Sequence, residues 1–257
     1  MEQAGRRADL LRLVATRQGY DLGYLGDISF GGWRLQRDTC QFLGRYCEEV
    51  RPKRVLEFGS GVSTRILAHE AARGHVQQVW SIDHLPDFPG HPRFGLAAQG
   101  LQQFVQFVTC PIRLRYVAGK VFQHYALSRA FLKQLGRLDL VLIDGPPYFF
   151  NSREPALYLL FEHLAPGSLV LLDDANRRQR EQRYLRNWQA YFGPAVETLL
   201  LLDEFKKGLA LTWRTEAAPW PRRFPPRERL AESWLSLHKE FQRLRGGIMR
   251  RLRPQGC

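Results

Sequence analysis

The pattern of apolar and polar positions changes character near residue 50. Before that point, ADLLRLVATRQ (8–18) and WRLQRDTCQFLGRYCEEV (33–50) carry apolar residues at helical spacing. A glycine-rich turn at Gly31-Gly32 separates them, and Pro52 closes the second. After it, short continuous apolar runs alternate with helix-period stretches. RVLEF (54–58), QVWSID (78–83), VQFVTCPI (105–112), LDLVLID (138–144) and SLVLLDD (168–174) read as strands. TRILAHEAARG (64–74), FGLAAQGLQQF (94–104), ALSRAFLKQLGR (126–137), EPALYLLFEHLAPG (154–167) and QREQRYLRNWQAYFG (179–193) read as the helices between and after them. ETLLLLDEFKKGLALTW (197–213) reads as two strands around a Lys207-Gly208 turn. Apolar strands with helical crossovers predict a parallel sheet covered on both faces. The fold expected is therefore α/β, a Rossmann-like doubly wound seven-stranded sheet closed by an antiparallel hairpin, with N-terminal helices and a C-terminal helical appendage.

Three segments follow from this pattern: an N-terminal helical segment (1–50), a central α/β domain (51–215), and a Pro-rich linker with a basic amphipathic helix (216–257). In the last, Leu230, Trp234, Leu237, Phe241, Leu244 and Ile248 recur at alternating spacings of four and three, one apolar stripe on a basic helix. The glycines at 246 and 247 should weaken that helix.

Composition narrows the class. Apolar residues make up 44% of the 257 and aromatics 12%, enough for a sizeable core. No apolar run approaches the roughly 20 residues of a bilayer span, and the N-terminus reads as no secretion signal. Cys40 and Cys47 stand seven apart in a helix, too far for a disulfide, and no CxxC pair suggests zinc. The expectation is a reduced, cytoplasmic protein. The net charge of +13 is uneven: residues 214–257 hold eleven Arg and Lys against four Glu. That asymmetry suits an anionic partner or a plain solvated helix. The stripe itself has three readings: packing on its own domain or on a second subunit in a homo-oligomer, resting on an anionic membrane surface, or binding nucleic acid.

The chemistry concentrates at the strand tips. After the first strand comes Glu57-Phe58-Gly59-Ser60-Gly61-Val62-Ser63-Thr64. Glycines at 59 and 61 let the backbone turn sharply and approach a ligand, and the next helix offers free N–H groups with Ser63 or Thr64 as a cap. Asp83 ends the second strand 22 residues after Gly61, where a carboxylate can accept both ribose hydroxyls. A dinucleotide turn prefers a third glycine where this chain has Thr64.

ExGxG with Asp83 resembles motif I of the class I S-adenosylmethionine-dependent methyltransferases. EFGSGVST, SIDH, LVLIDGPP and LLDDANR together resemble a bacterial group of methyltransferase-domain proteins over residues 50–215. The resemblance implies S-adenosyl-L-methionine as cofactor, with Glu57 near its methionine end, Asp83 on its ribose, and Gly59, Ser60, Gly61, Ser63, Thr64, His84 and Asp144 around it. It specifies fold and cofactor far better than reaction.

Asp144 ends the fourth strand, and Asp173 and Asp174 end the fifth, all at the same edge. Three converging carboxylates need protons, cations or metal, and Arg153, Arg177 and Arg178 lie near in sequence. Three functional readings stand. They could hold Mg²⁺, resembling catechol O-methyltransferase and its relatives, although the Asp-Asn pair expected there is Asp173-Asp174 here. Asp144 could act without metal on the acceptor, with His84 or His124 as partner. DGPPY resembles the (D/N)PPY motif of amino-group methyltransferases, broken here by Gly145. Otherwise the carboxylates cap loops and pair with arginines. Tyr148, Phe149 and Phe150 would line an acceptor pocket or a lid, or pack as ordinary core at a loop. The function expected is methyl transfer to an oxygen of a small molecule, sugar or glycan. Nucleic-acid methylation and a non-catalytic cofactor-binding interaction module are the alternatives.

Overall fold

The computed structural model describes residues 2–251 apart from 27, 31, 33, 89, 148–150 and 219–223. Nine strands and eight α-helices are described, and the order of the seven strands in the main sheet is β3-β2-β1-β6-β7-β9-β8. β1 (Arg54–Phe58) lies at its centre, between β2 (Gln78–Asp83) and β6 (Leu138–Ile143), both parallel to it. β3 (Gln106–Thr109) and β7 (Leu164–Asp173) extend the parallel set outward. β9 (Leu209–Arg214) pairs antiparallel with both β7 and β8 (Val196–Leu201), the expected closing hairpin.

Alternation along each central strand feeds two cores. Leu140 and Leu142 join Val55, Leu169 and Leu171 on one face, under α2 (Arg37–Val50) and α3 (Val62–Ala72). Leu138, Val141 and Ile143 join Leu56, Phe58 and Val170 on the other, under α6 (Pro155–Leu160) and α7 (Glu181–Phe192). Leu10 and Leu13 of α1 (Glu2–Thr16) belong to the first cluster, so the N-terminal helices share the domain core. α4 (Pro92–Ala98) and α5 (Arg129–Leu135) complete the crossovers.

Several elements differ from the sequence pattern. The helix expected over 94–104 stops at Ala98, because Gly100 takes φ +67° and only a 3-10 turn follows. The helix over 154–167 gives way at Leu164, where the chain has already entered β7. Residues 112–125 form a separate antiparallel pair, β4 (Ile112–Val117) and β5 (Lys120–Tyr125), turning at Ala118 (φ 50°) and Gly119 (φ 82°).

The largest departure is α8 (Pro226–Arg251). It packs on β5 through its polar face: Glu232 and Ser236 are buried, and Ser233 Oγ accepts from the Val121 amide at 3.0 Å. The stripe does not cover its own domain, since Leu230 is 71% exposed and Trp234 68%, with Phe241 also exposed. The cause is Lys120, fully buried on β5 and held by Glu228 and Glu232 of α8 at 2.9 Å each, with the Phe224 ring 3.3 Å away. A buried cation demands carboxylates, and α8 supplies them from its polar side. The helix runs through Gly246-Gly247, while the side chains of Leu244 and Ile248 lie outside the described residues. No described helix is long and apolar enough to cross a membrane.

Candidate active site

The tips of β1, β2, β6 and β7 meet along one edge of the sheet. Gly59 follows β1 at φ +95°, a conformation glycine adopts without steric cost. Its amide donates to the Ile82 carbonyl at 2.8 Å, and a Cβ on it would stand 3.0–3.2 Å from the Asp144–Gly145 backbone. Gly59 is thus set by the close approach of two chain segments. Gly61 differs: its φ of −165° is extended backbone, and a Cβ there would meet nothing within 4 Å. It sits at the N-cap of α3, so open space adjoins the unsatisfied amides of a helix N-terminus.

Glu57 lies fully buried behind this turn. Thr64 and Ser81 donate their hydroxyls to its Oε2 at 2.5 and 2.6 Å, and Thr64 Oγ1 also accepts from the Gly61 amide at 2.9 Å. Burial pushes the Glu57 carboxyl up to about 7 against the pull of those hydroxyls. Ser63 is buried in the same shell. Glu57 and Thr64 therefore tie the turn to β2 from behind.

Asp83 closes the other side. Its Oδ2 accepts from the Ser60 amide at 3.0 Å, and its Oδ1 from the amides of His84 and Leu85 at 2.6 and 2.8 Å. Burial works to raise this carboxyl, but the His84 ring and those amides outweigh it and hold it below its usual range, so Asp83 is ionised at neutral pH. His84 Nδ1 lies 3.2 Å from Asp83 Oδ1; the pairing considered with Asp144 is replaced by one with Asp83. His124 is also not an Asp144 partner. It is fully buried, its Nδ1 stands 2.6 Å from the Ser152 carbonyl, and burial lowers its pKa to about 4, leaving it neutral.

The three carboxylates converge as the strand ends implied: one oxygen from each of Asp144, Asp173 and Asp174 lies within 4.8 Å of the others. Such an oxygen-rich set suits a hard divalent cation, but a guanidinium is already seated among them. Arg153 donates to Asp144 Oδ1 at 3.1 Å, to the Asp144 carbonyl at 2.8 Å and to Asp174 Oδ2 at 3.0 Å. Arg177 and Lys207 also pair with Asp174, at 2.9 and 3.7 Å. The sequence had pointed to Arg153 and Arg177; Lys207 arrives through the closing hairpin, whose Gly208 accepts from the Ala175 amide. Arg178 makes no such pair among the described residues. Asp173 is fully buried, and neither carboxylate oxygen has a hydrogen-bond partner among the described residues. Burial and the neighbouring Asp174 push it up to about 7, and burial with Asp173 holds Asp144 well above the usual carboxylate range.

Tyr125, at the end of β5, was not foreseen. Its ring stacks on Phe58 with centroids 5.6 Å apart, and its buried hydroxyl, without a hydrogen-bond partner among the described residues, would stand 2.6 Å from a Cβ on Gly145. It reaches the β1–β6 crevice only because β4–β5 folds back over it. Tyr148, Phe149 and Phe150 lie outside the described residues.

Comparison with known proteins agrees with this geometry. Residues 56–175 match the family model described as a methyltransferase domain. The fold is similar to that of an S-adenosylhomocysteine-bound methyltransferase from Podospora anserina, at 14% identity and a TM-score of 0.55 over 80% of this chain and 88% of that one. It is also similar to an O-methyltransferase from Bacillus cereus in complex with S-adenosylhomocysteine, at 16% identity and a TM-score of 0.51 over 82% of this chain and 91% of that one. A search of curated proteins finds no match. Residues 56–175 thus match a methyltransferase-domain model, and the fold around them is similar to that of these two methyltransferases.

Proposed function

We propose that this chain transfers the methyl group of S-adenosylmethionine to an oxygen of a small-molecule, sugar or glycan acceptor. The observation that carries the reading is the open space at Gly61, bounded by the N-terminus of α3 and by the ionised Asp83. Bound there, S-adenosylmethionine supplies an electrophilic methyl on a sulfonium. Asp83 would accept from the ribose hydroxyls, Gly61 would leave room for the adenosyl part, and the amides at the start of α3 would hold the carboxylate of the methionine end. His84 steadies Asp83 rather than the acceptor.

Transfer is an in-line displacement, so alignment supplies most of the rate. The acceptor oxygen loses its proton as the new bond forms. The buried pair Asp144 and Asp173 is the place for it: both stand at the strand tips, and Asp173, raised to about 7, takes up a proton near neutral pH. Mg²⁺ does not fit this set as it stands, since Arg153 occupies the position between Asp144 and Asp174 and would have to be displaced. The (D/N)PPY reading is not favoured, because Gly145 packs against Gly59 and Tyr125. The described cysteines are free and buried, which suits a reducing cytoplasm.

Titration calorimetry with S-adenosylhomocysteine tests the reading. One-to-one binding is expected, weakened at least ten-fold by Asp83→Ala, a loss of about 1.4 kcal/mol or more. No heat of binding to the wild type contradicts it.

A further inference from the structure

Beside the carboxylate cluster lies a cavity of about 560 Å³ that the cofactor reading leaves unused. Its size is that of a small-ligand site. It opens between the residues after β6 and the start of α7, and Leu235 of α8 forms an apolar part of its wall. Six arginines line it against one acidic lining residue, Glu181. Three of the six are engaged: Arg153 by Asp144 and Asp174, Arg177 by Asp174 and Glu181, and Arg180 by a partner of its own. Arg178, Arg183 and Arg186 have no carboxylate ion-pair partner among the described residues. Arg183 donates instead to the neutral amide oxygen of Asn151.

Asn151 adds an independent sign. It is 2% exposed, takes φ 53°, lines the cavity, and its Nδ2 has no hydrogen-bond partner among the described residues. A buried amide donor left without an acceptor costs stability unless a ligand supplies one. Uncompensated guanidinium groups beside an orphaned donor, in a concave site, call for a ligand rich in anionic oxygens.

We propose that this cavity binds a phosphate- or pyrophosphate-type oxyanion carried by the methyl acceptor. That the anion belongs to the acceptor rests on the methyl-transfer reading. Arg153 provides the link, forming a wall of the cavity while holding Asp144 at the strand tip. An acceptor gripped by its anionic end would thus extend its hydroxyl toward the Asp144–Asp173 pair. The anion is carried either by a soluble phosphorylated molecule or by a lipid headgroup. The exposed Trp234 beside Leu235 makes the second source physically open.

The test is calorimetry of the full chain with inorganic pyrophosphate, free and saturated with S-adenosylhomocysteine. Saturable binding is expected in both states, weakened at least ten-fold by Arg178→Ala/Arg186→Ala, two exposed positions whose loss leaves the melting temperature unchanged. Arg113→Ala/Arg129→Ala removes the same charge from exposed positions outside the cavity and should change binding less than two-fold. No saturable binding, or equal weakening in both double variants, overturns the proposal. So does mutual exclusion of pyrophosphate and S-adenosylhomocysteine, which would assign the cavity to the cofactor. Loss of S-adenosylhomocysteine binding with pyrophosphate binding intact would sink the methyl-transfer reading and spare the oxyanion site. Vesicles of phosphatidylglycerol separate the sources: displacement of pyrophosphate indicates a headgroup, and none indicates a soluble acceptor.

Discussion

Two glycines in one turn serve different ends. Gly59 is needed by the fold, at φ +95° and against the backbone of Gly145. Gly59→Ala should therefore destabilise by about 2 kcal/mol, the cost of a strained backbone position, in urea melts. Gly61 has no such steric role in the fold, and under the proposed function it leaves room for the cofactor. Gly61→Val should change stability by about 1 kcal/mol or less while weakening S-adenosylhomocysteine binding at least ten-fold, because the extended backbone and open space accept the side chain, which then fills the room proposed for the ligand. If both variants lose stability alike, the two roles are not separate. Asp173 sets a pH signature. Its carboxyl is raised by burial from an ordinary 3.8 to about 7, so between these values the folded site holds a proton that the unfolded chain has released. Stability from this group is lost as pH rises through that window. Melting temperatures of wild type minus Asp173→Asn should fall from pH 4 to pH 7, and parallel profiles would show that Asp173 does not titrate there. At this scale the sequence was legible for placement at strand ends, as for Gly59, Gly61, Asp83 and Asp144. It suggested Asp144 as partner of His84 or His124, whereas side-chain geometry puts them against Asp83 and the Ser152 carbonyl.

Elements were legible where burial on both faces leaves a continuous apolar run. RVLEF and QVWSID fold with the bounds their pattern implies, because central parallel strands admit no polar alternation. β4 was missed for the opposite reason. IRLRYV alternates on a two-stranded sheet with much of its surface in solvent, and its neighbour β3 is separated only by Cys110-Pro111. α8 was read from its apolar stripe, yet a buried lysine decides which face docks. Lys120 stands against Glu154 at 3.7 Å as well as Glu228 and Glu232, joining the hairpin, the start of α6 and α8. Lys120→Ala leaves these carboxylates without their cation and should cost about 3 kcal/mol in chemical denaturation, the scale of a broken buried ion pair. A loss below about 1 kcal/mol would mean that α8 is held by something else.

The whole molecule assigns its resources by position on the sheet. The central strand tips carry the glycine turn, Asp83 and the carboxylates, where a doubly wound sheet opens its crevice. The outer hairpin, β4–β5, brings Tyr125 to that crevice and anchors α8. Fold class and cofactor edge follow from the order of apolar runs, which any chain of this pattern must bury. The arginine-lined cavity does not, because Arg153 and Arg183 come together only through the packing of α7 on the sheet. The central claim is that a cofactor occupies the space at Gly61, and a crystal structure of the chain with S-adenosylhomocysteine tests it most directly. The account predicts ribose hydroxyls on the Asp83 carboxylate and the ligand passing over Gly61 at the start of α3. A ligand bound elsewhere, or side chains filling that space in the complex, would contradict it.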